Sequence, residues 1–171
     1  MEGKEPQLEL EASMEGRHHP KRFLTIRNIS IAMACLLFFQ YVLGMATNLF
    51  VGFPTQTASV NPLDSIFTEG PYAVLVHFFA GLALGILSIS TLILSARAKD
   101  RTLVILAVGG LGAILLAGES GIEFVLGWYS NDVFSFLMSF GFLLSFTFDF
   151  LLLWFASLRC AITQSLVVNR A

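Results

Sequence analysis

Charge is what this chain has least of. Only 13% of its 171 residues are Asp, Glu, Lys or Arg, about half the share of an average soluble domain at roughly 25%. A soluble fold built from it would have too little polar surface to cover itself. The net charge of −2 supplies no basic field, which excludes nucleic acid as a partner. Cysteine is almost as scarce. Cys35 and Cys160 both fall on what the reading below makes the reducing side of a membrane, so no structural disulfide is expected. Catalytic signatures are missing as well: no phosphate-binding glycine loop, no zinc-type His/Glu or Cys pair, no nucleophile elbow and no dinucleotide fingerprint. These absences argue against a hydrolase or a nucleotide-driven pump, and lean against an enzyme altogether.

What the chain has instead is hydrocarbon. Hydrophobic residues make up 56% of it, 17 of them Phe, and the mean hydropathy is +0.76. Crossing about 30 Å of hydrocarbon at 1.5 Å per residue takes roughly 20 mostly apolar residues in a helix. Four stretches qualify, at about 29–53, 72–96, 102–126 and 132–158. Pro54 closes the first and Pro71 opens the second, where a fixed φ suits a helix start. In lipid each must be helical, because a helix satisfies its own backbone hydrogen bonds. The first stretch is too long for a signal-peptide core and follows a long charged segment, so it reads as a retained helix.

Basic residues then set the orientation, since Lys and Arg favour the cytoplasmic side of short loops. All ten lie on one side. Lys4, Arg17, Lys21, Arg22 and Arg27 precede the first span; Arg97, Lys99 and Arg101 join the second and third; Arg159 and Arg170 follow the fourth. Neither Pro54–Pro71 nor Gly127–Asn131 contains one. The expected architecture is an all-α, four-helix up-down bundle in the membrane with both termini cytoplasmic. It divides into a disordered tail over residues 1–22, a transmembrane domain over 23–160 and a C-terminal tail over 161–171.

The acidic tail, with Glu2, Glu5, Glu9, Glu11 and Glu15, has too few large apolar residues to offset its ordering entropy. It ends in His18-His19-Pro20-Lys21-Arg22, either a pH-sensitive or metal-binding patch or a solvated anchor near anionic headgroups. The long outer connection has room for a short interfacial helix around Leu63 to Phe67. Small residues at four-residue spacing, Gly81 and Gly85 in one span and Gly109, Ala113, Ala117 and Gly121 in the next, allow close helix approach. They serve packing within the bundle, or a homo-oligomer or a larger membrane complex alongside the lipid bilayer.

Polar groups inside the spans are the functional candidates, because they are costly there. Counted from the outer ends at 1.5 Å per residue, Asn48, His77, Glu123 and Glu119 fall roughly 5 to 11 Å deep, in one layer. Glu119 and Glu123, four residues apart, stack on one helix face. In a low-dielectric site such a pair shares a proton or pairs with His77, as a proton-handling or quinone-binding group would, or else reaches headgroups and nearby hydroxyls. His77 suits haem iron, a proton or an ordinary hydrogen bond. Met138, at similar depth on the fourth span, is placed to be a second axial ligand, with Met45 another option. Asp149 lies deeper toward the cytoplasmic side, and Gln40, at a similar count on the first span, is its expected partner.

The segment Gln40-Tyr-Val-Leu-Gly-Met-Ala-Thr-Asn-Leu-Phe-Val, followed by His77 and by Gly118-Glu-Ser-Gly-Ile-Glu-Phe, resembles a group of uncharacterised four-helix prokaryotic membrane proteins. That resemblance implies a prokaryotic plasma membrane and no particular activity. More distantly, Gln40 with Leu43-Gly44 and His77 resembles one helix pair of the haem A synthase family. There a four-helix half carries haem-ligating His on its second and fourth helices, which implies a haem ligand at His77, with Met138 standing where the second His would be. Three functions are therefore open: a non-enzymatic accessory or structural membrane component, a haem- or quinone-associated redox protein, and an oligomeric proton-coupled transporter or channel.

Overall fold

The computed structural model describes residues 5–50 and 72–168, with backbone only for residues 5–20, Asn48 and residues 167–168. The outer connection and its expected interfacial helix lie outside the described residues. Those described form four helices and no strand: α1 (Glu5–Phe50), α2 (Tyr72–Ala98), α3 (Arg101–Leu126) and α4 (Asp132–Val168). All four contain a stretch long and apolar enough to cross a membrane, namely Lys21–Thr47, Tyr72–Ala98, Arg101–Leu126 and Asp132–Leu166.

The middle helices match the hydrophobic stretches within a residue or two, but the outer pair overrun them. Helix α1 begins at Glu5, inside the segment expected to be disordered, and α4 continues to Val168, through most of the expected tail. The reason is local. Glu, Gln, Leu, Ala and Met dominate residues 5–15 and lose little freedom in a helix, while Ala161 to Val168 contains neither Gly nor Pro.

Each connection among the described helices has its own stop signal. Between α2 and α3, Lys99 takes φ 57°, and the Asp100 carboxylate caps α3 by accepting from the N–H groups of Thr102 (3.0 Å) and Leu103 (3.3 Å). After α3, the Gly127 N–H donates to the Glu123 carbonyl at 2.9 Å. Trp128 and Tyr129 then both adopt left-handed backbone, at φ 53° and 60°, and Asn131 starts α4 by accepting from Val133 N–H at 3.0 Å.

In cross-section the helices form a ring in which each touches its two neighbours and none touches the one diagonally opposite. Neighbours are antiparallel. Arg22 donates to the Arg97 carbonyl at one end of the α1–α2 pair and Gln40 to the His77 carbonyl further along; Arg159 meets Asp100 at one end of the α3–α4 pair while Gly141 meets Ala113 and Ala117 further along. Inward positions follow steps of three or four: Phe23, Ile26, Ser30, Met33 and Leu37 on α1, and Ser145, Asp149, Leu152, Ala156 and Cys160 on α4. One apolar cluster, containing Phe23, Ile26, Leu103, Leu152 and Ala156, fills the end of the bundle that carries Arg22, Arg97 and Arg159. The outer faces remain apolar, with Phe38, Leu82, Ile86, Leu115, Leu143 and Trp154 all exposed.

Candidate functional site

Above that apolar end the core turns polar. Ser30 on α1, Ser88, Thr91 and Ser95 on α2, and Ser145 and Asp149 on α4 are all buried. Helical spacing produces the layer: Ser88, Thr91 and Ser95 step by three and four along α2, and Ser145 precedes Asp149 by one turn of α4. Asp149 is only 5% exposed, and neither of its carboxylate oxygens has a hydrogen-bond partner. The buried hydroxyls of Ser30, Ser95 and Ser145 also lack one. Ser30 is the polar side chain beside the carboxyl group. Asp149 opens onto a cavity of about 10 Å³, lined also by Met33, Ser88, Thr91, Leu106, Gly110 and Phe148. That is room for about one water-sized occupant.

The outward-facing hydroxyls behave differently. Ser90, Ser139, Thr147 and Thr163 each donate to the carbonyl four residues back, at 2.7 to 3.0 Å. Facing away from the core, they satisfy themselves within their own helix. Thr91 does the same toward Leu87, at 2.9 Å, and also lies 3.5 Å from Met33 Sδ.

No family model, curated protein or solved structure matches this chain. The site must be understood from its own geometry.

That geometry separates the residues expected to share one outer layer. His77 is partly buried on α2 and faces α1: a methyl group placed on Gly44 would stand 3.2 Å from its Cε1. Its Nδ1 is buried without a partner, and its backbone carbonyl accepts from Gln40 Nε2 at 2.9 Å. Met138 instead faces α3, with Sδ 3.4 Å from where a Gly121 methyl would be. The two expected haem ligands thus lie on diagonal helices with their side chains against different neighbours. Glu119 and Glu123 are exposed on the outside of α3. The inward position is Ser120, 4% exposed, and a step of one residue rotates a side chain about 100° around the helix. The Asn48 side chain lies outside the described residues. Among the described residues, no group of three or more His, Cys, Asp or Glu could hold a metal ion.

Gln40 is not the partner of Asp149. Met33 on α1 shares the Asp149 cavity, and Gln40 lies seven residues, roughly 10 Å, further along the helix. Counting depth from residue 29 as the start of the first span misplaced it, because the apolar span already begins at Lys21. The hydroxyls that do surround Asp149 escaped notice because Ser and Thr are common in apolar helices. Their three-and-four spacing, in register with Leu84 and Ala98 on α2 and with Leu152 and Ala156 on α4, was the available signal.

Proposed function

We propose that this chain is a multi-pass integral membrane protein acting as a non-enzymatic accessory or structural component, in contact with lipid and with protein partners in the bilayer. The observation that carries this reading is the outer surface. Every helix presents large apolar side chains outward, from Phe38 and Phe39 on α1 to Phe150 and Trp154 on α4, far beyond the few hundred Å² of contiguous apolar surface a soluble monomer tolerates. Orientation follows the basic residues: the end bearing Arg22, Arg97, Lys99 and Arg159 faces the cytoplasm and the segment 54–71 faces away. A prokaryotic plasma membrane is the compartment that the resemblance favours.

Glu119 and Glu123 support the partner half of the reading. Glu119, two turns inside its span, costs free energy against lipid as an exposed carboxyl and is relieved by a polar group from another chain; Glu123, less than one turn from the end, extends the same face. A homo-oligomer or a heteromeric membrane complex would supply that group.

Two measurements test the proposal. Washing membranes with alkaline carbonate should leave the chain in the pellet; release into the supernatant would overturn membrane integration. In a background with Cys35 and Cys160 replaced by Ser, a cysteine introduced at Ser59 should react with an impermeant maleimide from outside, and one at Lys99 only after the membrane is opened. The reverse pattern would overturn the orientation.

A further inference from the structure

We propose that the outward face of α3 around Glu119 docks a transmembrane helix of a second protein, one that carries a Lys or Arg at the depth of Glu119. Glu119 is exposed among apolar side chains. Val108, Leu115, Ile122 and Leu126 are exposed on the same face at helical spacing. In a helix the Cα–Cβ bond leans toward the N-terminus, which for α3 is the Arg101 end. The Glu119 side chain therefore leaves the backbone leaning deeper into the span, away from the nearer headgroups.

The chain holds no cation to meet it. Residues 28–96 and 102–158 contain no Lys or Arg, and Arg101, at the far end of α3, is about 27 Å away along the helix. His77 is turned to α1 at Gly44. A second copy of the chain has the same shortage. Paired about a two-fold axis along the membrane normal, it would set Glu119 against Glu119 and Glu123 against Glu123, like groups with no opposite charge between them where the dielectric is low. A basic residue in the span of another protein supplies that charge, and Glu119 in turn relieves the cost of placing the cation in lipid.

Gly112 marks the same face independently. It lies two turns before Glu119 and is exposed, and a methyl added to it would meet nothing within 4 Å. Glycine weakens a helix interior relative to alanine, and no contact within the bundle requires it here. On an outward face it lets another backbone come close.

This inference deepens the accessory-component reading and rests on it. The probe is a synthetic transmembrane peptide of leucine and alanine with one Lys two turns from an end of its apolar stretch, a terminal acceptor dye and no Trp. Reconstituted with the full chain in phosphatidylcholine vesicles, it reports association through energy transfer from Trp128 and Trp154. The Lys peptide should bind about tenfold more tightly than the same peptide with Leu or Glu in place of the Lys, the upper range for one polar contact between membrane helices. Glu119→Gln should remove that preference and leave binding of the Leu peptide unchanged. A Lys peptide that binds the unaltered chain no better than the Leu peptide, or a preference that survives in Glu119→Gln, would overturn the proposal. So would full oxidation of Leu115→Cys to a disulfide-linked dimer in the background lacking Cys35 and Cys160, because a second copy would then hold the face. Release by alkaline carbonate would remove the membrane reading itself, whereas a chain that stays integrated and ignores the Lys fails this inference alone.

Discussion

The α3–α4 and α1–α2 helix pairs are both built around glycine, but they use it in opposite ways. Between α3 and α4, backbone meets backbone: a methyl on Gly141 would stand 2.9 Å from both the Ala113 carbonyl oxygen and the Ala117 nitrogen. Between α1 and α2, glycine makes room for polar side chains. Gly44 accommodates the His77 ring and Gly81 the Gln40 amide, at 3.2 and 3.4 Å from the added methyl. The first contact cannot yield without separating two helices, whereas the second can yield by turning a side chain. A small-residue stripe therefore reports how closely helices approach only when its partner surface is also backbone.

Substitutions can break or sharpen this contrast, each read as reversible unfolding in mixed micelles. The largest loss is expected for Gly141→Ala, about 3 kcal/mol, at the upper end of overpacking costs because no side chain can move aside. Gly109→Ala places its methyl 2.6 Å from the Phe148 ring, but a ring can shift, so a loss of about 1–2 kcal/mol is expected. Asp100→Ala removes the α3 cap at the margin of the tight pair and should cost about 1 kcal/mol, mostly through the cap rather than the half-exposed Arg159 contact. On the other side, Gln40→Leu breaks the 2.9 Å bond to the His77 carbonyl and should cost only about 0.6 kcal/mol, as hydrogen bonds between membrane helices do on average. Smallest is Gly85→Ala. Nothing lies within 4 Å of its added methyl, so a gain of about 0.5 kcal/mol is expected from helix propensity alone. If Gly141→Ala and Gly85→Ala proved equally tolerated, the distinction between the two interfaces would fail.

Much of the fold was legible because length and hydropathy determine it. Tyr72, Arg101 and Asp132 begin their helices at or beside the residues where the hydrophobic stretches begin. The stripe Gly109, Ala113, Ala117 and Gly121 does line the α4 interface, against Phe148, Gly141 and Met138. The site was harder to read, because depth follows from counting along a helix while facing follows from rotation about it. Glu119 was expected in the interior and lies, with Glu123, on the exposed side of α3. The inward series Leu103, Ala107, Gly110, Ala113 and Ser120 passes beside Glu119 rather than through it. Asp149 stood out as a charge in an apolar helix, but its neighbours come from helices α1 and α2, and only the registration of Met33 and Thr91 with Asp149 reveals them.

The turn between α2 and α3 divides one carboxylate between two tasks: Asp100 Oδ1 caps the helix that follows, and Oδ2 receives Arg159 Nε at 2.8 Å. Asp100 precedes Arg159 by 59 residues, so the turn is synthesised before α4. In the folded bundle Asp100 at one end and the Ala113–Ala117 groove further along are two contacts that mark how far α4 is slid against α3. Such an arrangement makes the covalent link between α3 and α4 dispensable for alignment. Pieces of the chain severed between Gly127 and Asn131 and expressed together should reassemble in the original register, with Arg159 again on Asp100.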